Sequence, residues 1–301
     1  MASVVLFQTG NRSRNPRNGQ YYDPWESHIW LCLEQLRKWN PNLDIYMITD
    51  DSEVSSSEKF ETLNIKREFI KDLSTRFDID NLSYFDKSIN PSERACGLRP
   101  FYIESVMQKY NLSDVFSFDN DVLIYDDLEN ISKKLNPLYK RVGLTPDSKE
   151  SMVLGMCYIK DTNGYKDITD ILWKYMVTDK GKNALDMNLW NFLYQEMGLD
   201  YVGILPTWID GMFSDNNQTI GGVFDPSSIG QYLLGCDNGN PPGSLFPHHY
   251  IHNRIAEGKY QFVQSADDLG RKSIYAQNKE TKEFVKVLSI HVHNKQLKQL
   301  M

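Results

Sequence analysis

No stretch of this 301-residue chain approaches the ~20 consecutive apolar residues that a membrane span requires, so no membrane-crossing helix is expected. The N-terminus, MASVVLFQTGNRSRNPR, places a short apolar segment ahead of its basic residues, the reverse of a signal peptide, and predicts a cytoplasmic chain. Cysteine is sparse. Cys32, Cys96, Cys157 and Cys236 lie far apart and form no C-x-x-C pair, which argues against a disulfide framework or thiolate zinc site and for reduced, mostly buried thiols. Five Asn-x-Ser/Thr triplets, at Asn11, Asn81, Asn111, Asn130 and Asn217, are read as chance occurrences because nothing directs secretion. Basic runs interleaved with aromatics are also missing and the formal net charge is −7, so no nucleic-acid partner is expected. Nor is there a glycine-rich loop to cradle phosphates. An anionic ligand must then be held locally, for instance through a metal. Internal repeats and low-complexity linkers are absent.

What is present is the composition of a soluble globular protein, 24% charged and 41% hydrophobic, long enough to bury a sizeable core. Residues 3–8, SVVLFQ, read as a buried strand ending at Thr9-Gly10. A helix follows, with Asp23 as cap, Pro24 at its first position and Glu26 completing a capping box, while Trp25, Ile29, Leu33 and Leu36 keep helical spacing. DIYMITDD is a second strand whose end carries Asp50 and Asp51. Strand, helix, strand predicts an α/β fold with a mostly parallel, Rossmann-like sheet flanked by helices and a smaller second portion. Further along come a short strand near Leu63-Asn64-Ile65 and a helix after Asn90-Pro91-Ser92-Glu93 that Pro100 must kink or divide. MVLGMCYI reads as a strand, followed by helices near 168–176 and 184–197, and residues 211–247 are rich in loop formers.

The stretch DVFSFDNDVLIYDD, residues 114–127, places Asp119 and Asp121 where a parallel strand ends, the edge at which open α/β sheets bind ligands. A D-x-D pair can present both carboxylates to one hard divalent cation, with Asn120 letting the chain turn. Such a cation can bridge the phosphates of a nucleotide. Near the C-terminus, VKVLSIHVHNK alternates so that Ser289, His291 and His293 share one face and Leu288, Ile290 and Val292 the other. Lys295, just beyond, can reach a phosphate oxygen. Same-face neighbours along a strand are about 6.6 Å apart, so one metal is expected to take only one of the two histidines. Proximity to Lys295 favours His293.

FSFDNDVLIYDDL, following the helix RPFYIESVMQKYNLSD, resembles the metal-binding region of GT-A glycosyltransferases, whose D-x-D joins a nucleotide-sugar to Mn²⁺ or Mg²⁺. MVLGMCYI resembles the strand after that loop, DMNLWNFL the acceptor-side helix, and GGVFDPSSIGQYLLGCDNGNPPG a segment of bacterial and viral members. The histidine region is similar to the H-x-x-G-x-x-K motif of glycogenin-like enzymes, with shorter spacing and no Gly; that motif would suit His291 as metal ligand. The resemblance implies a single GT-A domain over 1–301. Residues 1–128 would be the nucleotide-sugar half, and 129–301 the acceptor half with a C-terminal metal- and diphosphate-binding strand. It implies Mn²⁺ or Mg²⁺ at Asp119, Asp121 and one of His291 and His293. The donor would be a nucleoside diphosphate sugar, UDP-linked by preference, and the acceptor a glycan or other hydroxyl. Arg94, which shares the preceding helical region with Arg99, would contact the nucleotide or its sugar.

Other candidates surround this centre. Asp50 can receive the imide N–H of uracil, Gln8, Thr9 and Gly10 can serve base or ribose, and Asp119 and Asn120 complete the donor contacts. Lys295 would stabilise the leaving diphosphate, where transition-state charge develops. Inversion demands a carboxylate base, for which Asp186 and Asp210 are the candidates, and retention demands none; both remain open. Tyr21, Tyr22, Trp208 and Phe213 are candidate sugar-stacking aromatics. In PHHYIH, His248 and His252 have zinc-like spacing if helical, but the neighbouring Pro and Gly favour an acceptor-binding or plain surface loop. Two rival readings are a D-x-D-x-[TV] phosphatase, against which Leu123 stands at the Thr/Val position, and a non-catalytic glycan-binding module with a structural metal.

Overall fold

The computed structural model describes residues 1–9, 13–14, 21–50, 57–79, 91–146, 148, 151–178, 181, 184, 186–209, 212–213, 217–236, 240–246 and 258–301. Strand β1 (Ser3–Gln8) sends Val4 and Leu6 into one apolar cluster and Val5 and Phe7 into another, so both faces of the sheet it belongs to are covered. A turn of π-helix, Trp25–Ile29, leads into α1 (Trp30–Trp39), and the Trp25 N–H donates to the expected cap, Asp23 Oδ1, at 3.0 Å. The crossover ends in β2 (Asp44–Thr49), parallel to β1 in the register Ser3 to Asp44 through Gln8 to Thr49. Beside it lies β3 (Ile65–Phe69), also parallel.

Helix α2 (Pro91–Tyr110) runs unbroken through Pro100, so the proline does not divide it. Proline there removes the backbone bond to the carbonyl of residue 96. Burial of Leu98, Phe101, Ile103, Val106 and Met107 against the second cluster offsets that loss. The chain then forms β4 (Ser113–Ser117), parallel to β1, and the short β5 (Val122–Ile124). Next come α3 (Leu128–Leu135), β6 (Val142–Pro146), β7 (Met152–Asp161), α4 (Thr162–Met176), α5 (Asp186–Met197) and β8 (Val202–Ile204). Helix α4 starts earlier than the periodicity suggests because Asp161 Oδ1 caps it by accepting from the Gly164 N–H at 2.7 Å.

The seven-stranded sheet has the order β8-β6-β7-β4-β1-β2-β3, and β7 alone in it runs antiparallel to its neighbours. The fold is thus the expected α/β architecture, and strands from both sides of residue 128 share one sheet. A second sheet is built from β9 (Val223–Phe224), β10 (Tyr260–Ala266), β11 (Lys272–Asn278) and β12 (Phe284–His291), in the order β9-β12-β11-β10. Helix α6 (Ser228–Leu234) packs on β12. Strand β5 leaves the large sheet to pair with β12, so the link between β4 and β5 joins the two sheets. Among the described residues no helix is long and apolar enough to cross a membrane.

Candidate active site

The joint between the sheets is the D-x-D turn itself. After β4, the Val122 N–H donates to the Asp119 carbonyl at 3.1 Å, closing a turn over Asp119-Asn120-Asp121. Asn120 Nδ2 fastens this turn to the C-terminal end of β1 by donating to the Phe7 carbonyl at 2.9 Å and to Gln8 Oε1 at 2.8 Å. On the other side the Val292 N–H donates to the Asp121 carbonyl at 2.9 Å, and β5 pairs with β12 so that Val122 lies opposite His291. Register therefore brings a histidine from the end of the chain against a carboxylate from its middle.

His291 Nε2 stands 3.1 Å from Asp121 Oδ1 and 3.7 Å from Asp119 Oδ2. The Lys295 ammonium donates to Asp121 Oδ2 from a left-handed backbone (φ 60°). Arg99, in the middle of α2, donates to Asp119 Oδ1 at 2.6 Å and reaches Asp186 Oδ2, at the start of α5, at 3.2 Å. These groups open onto a cavity of about 430 Å³, which Gln8, Thr9, Asn120, His293, His28 and Cys96 also line.

The charges are mutually compensated. Burial alone would raise the Asp121 carboxyl, but His291 and Lys295 outweigh it and hold the group well below the usual carboxylate range. Burial works against the Arg99 guanidinium, yet Asp119 and Asp186 keep it firmly charged. Asp186 is pushed up by burial and by Asp119, against the pull of Arg99. Burial, helped by Lys295 and opposed by Asp121, lowers His28 to about 4, so this imidazole is neutral.

Asp119, Asp121 and His291 offer one ligand atom each within 4.8 Å of one another. Two hard carboxylate oxygens and one imidazole nitrogen suit a small divalent cation such as Mn²⁺ or Mg²⁺. His291, rather than the expected His293, occupies the place beside both carboxylates. His293 lies just past the end of β12 and stacks on the His291 ring, centroids 4.2 Å apart.

Asp50 follows the end of β2 and does not line the cavity. Gly10, Asp210, His248 and His252 lie outside the described residues, as do the side chains of Arg94, Tyr21, Tyr22, Trp208 and Phe213. Two residues escaped the sequence reading. His28 reaches the cavity from the π-helical turn, whose extra residue per turn no apolar spacing announces. Asp225, fully buried, receives the backbone N–H groups of Ile229, Gly230 and His291 at 2.8, 2.9 and 3.1 Å. Its signal in the sequence is the FDPSSIG stretch.

No protein-family model matches the sequence, and no curated protein matches it. Among solved structures the chain is similar to mouse xyloside xylosyltransferase 1, at 10% identity over 71% of this chain and 89% of that one, with a TM-score of 0.46. It is also similar to the glycosyltransferase GlyE of Streptococcus pneumoniae TIGR4, at 13% identity over 68% of this chain and 46% of that one (TM-score 0.39). A cytidylyltransferase of Leptospira borgpetersenii matches at 6% identity over 68% of this chain and 76% of that one (TM-score 0.40). Likeness this distant carries no information about substrate.

Proposed function

We propose that the protein is a GT-A-type glycosyltransferase that moves a sugar from a nucleoside diphosphate sugar, UDP-linked by preference, to a hydroxyl of a glycan or other acceptor. The observation that carries this reading is the convergence of Asp119, Asp121 and His291 at the C-terminal edge of a mostly parallel sheet, in a cavity that also holds Lys295, Arg99 and Asp186. Asp119, Asp121 and His291 would hold Mn²⁺ or Mg²⁺. When bound, such a cation supplies a Lewis acid that neutralises charge on the departing diphosphate.

The chain's own residues do the rest. Lys295, tethered to Asp121, supplies a cation to phosphate oxygens. Gln8 and Thr9, at the strand end beside the turn, face the same cavity and suit the nucleoside. Arg99 fixes the rotamer of Asp119 and holds Asp186 at the cavity wall. Among the described residues, Asp186 is the carboxylate in this cavity left over once the D-x-D pair is assigned. Its raised proton affinity suits a base toward an acceptor hydroxyl, and its place suits a contact to the donor sugar.

The test is a titration of UDP-, GDP- and ADP-sugars, with Mn²⁺ and with excess EDTA, read by calorimetry and nucleotide release. Metal-dependent binding of one nucleotide class, with slow donor hydrolysis, supports the reading. Equal affinity in EDTA, or no binding by any sugar nucleotide, overturns it.

A further inference from the structure

The segment from residue 222 to residue 235 has a task in this site although none of it is among the residues that line the cavity. Strand β12 has two edges. On one, Leu288 and Val292 bond to the β5 side through Tyr125 N–H to the Leu288 carbonyl and Val292 N–H to the Asp121 carbonyl, each at 2.9 Å. The N–H groups of Ser289 and His291 consequently point to the other edge, where β9 pairs in parallel. That strand stops at Phe224, one residue too early to supply a carbonyl to His291. His291 is buried, and an orphaned amide there would be costly.

Asp225 fills the gap. Its own N–H donates to the Ser289 carbonyl at 3.3 Å, continuing the ladder by one step. Its carboxylate then turns along the strand to accept the His291 N–H at 3.1 Å. The same carboxylate takes the Ile229 and Gly230 N–H groups at the start of α6, which locks the helix against the strand end. Gly230 permits the approach: a Cβ there would stand 1.9 Å from the His291 carbonyl oxygen.

We infer that Asp225, with Gly230, is the positioning residue of the metal site, holding the His291 backbone so that its imidazole meets Asp119 and Asp121. The inference rests on the metal reading proposed above. Asp225 acts through His291 and is not itself a ligand, so its removal should weaken the metal without emptying the donor set. Loss of such outer partners costs on the order of 10–100-fold in metal affinity.

The experiment measures Mn²⁺ alone by the electron paramagnetic resonance signal of the free ion, with thermal unfolding in parallel. The proteins are wild type, Asp225→Asn, Gly230→Ala and the control Gly222→Ala. At Gly222 a Cβ would stand 2.5 Å from the Lys286 carbonyl, straining the same packing at the far end of β12. Asp225→Asn and Gly230→Ala should each weaken Mn²⁺ at least about tenfold. Gly222→Ala should lower the melting temperature yet leave affinity within about twofold of wild type, equivalent to about 0.4 kcal/mol. A folded Asp225→Asn protein binding Mn²⁺ like wild type overturns the positioning role, and so does an equal loss in Gly222→Ala. If Asp225→Asn does not fold, Gly230→Ala decides by the same criterion. Wild type that binds no Mn²⁺ overturns the metal reading itself, and this inference with it.

Discussion

His291 Nε2 lies 3.1 Å from Asp121 Oδ1, and through that contact the last strand of the chain closes on a turn in its middle. The other oxygen of the same carboxylate is held by Lys295. One buried side chain thus receives two cationic or polar partners from the C-terminal segment, and its loss should be felt in two ways. Asp121→Asn should abolish the Mn²⁺ dependence of nucleotide binding, because one of two anionic ligands is gone. In metal-free buffer it should also cost about 1–3 kcal/mol, since Lys295 and His291 lose a charged acceptor. Isothermal titration with and without EDTA checks the first effect, and urea unfolding in EDTA the second.

The two histidines should separate cleanly. His291→Ala removes an atom that faces both carboxylates, so the Mn²⁺ concentration for half-maximal activity should rise by about 10-fold or more. His293→Ala removes the ring stacked on His291 and should leave that concentration within about threefold, an effect of about 0.7 kcal/mol. A metal titration of donor hydrolysis in each variant gives the answer. An equal shift in both would place the imidazole ligand at His293 as readily as at His291.

What was legible in the sequence is what depends on neighbours along the chain. The apolar run of residues 3–8 predicted a buried strand, and Val4 and Val5 do enter separate apolar clusters. The D-x-D pair at a strand end announced its own location. The choice between His291 and His293 rests instead on the pairing of Val122 with His291, a register between distant segments that no local pattern sets. Proximity to Lys295 in sequence favours His293, whereas the strand ends at His291 and it is that ring which stands beside both carboxylates. Pro100 does not divide its helix, for the opposite reason: its local penalty is real, but burial on both sides of it keeps the helix in one piece. Asp225 combines both difficulties, being a carboxylate whose partners are backbone amides, invisible to any reading of side-chain types.

Arg99 links the turn to the acceptor-side helix, and its planar fork is what allows one side chain to reach Asp119 and Asp186 together. Arg99→Lys keeps the charge but can hold only one carboxylate well. We expect kcat/KM for sugar transfer to fall about tenfold or more, equivalent to about 1.4 kcal/mol. The fold should persist, since the lysine still neutralises one buried acid. Steady-state kinetics beside a circular dichroism melt checks this, and unchanged kinetics would remove Arg99 from the reaction.

The last segment of the chain looks like a basic tail and is in fact two things at once. Lys295 faces the cavity, whereas Leu297 and Leu300 are buried in the first apolar cluster and the Tyr125 hydroxyl donates to the Leu300 carbonyl at 3.1 Å. Chemistry and packing should therefore come apart under mutation. Lys295→Ala should lose most turnover with only a small change in unfolding free energy, because the side chain is one-third exposed and its partner Asp121 keeps His291. Leu297→Ala should do the reverse, costing about 2–5 kcal/mol for the lost methylenes and the cavity they leave, while the folded fraction retains its Mn²⁺ affinity. Urea unfolding and single-turnover transfer, measured on both variants, check the division. If Leu297→Ala proves as inactive as Lys295→Ala while still folded, the terminal turn is part of the reacting site and not its support.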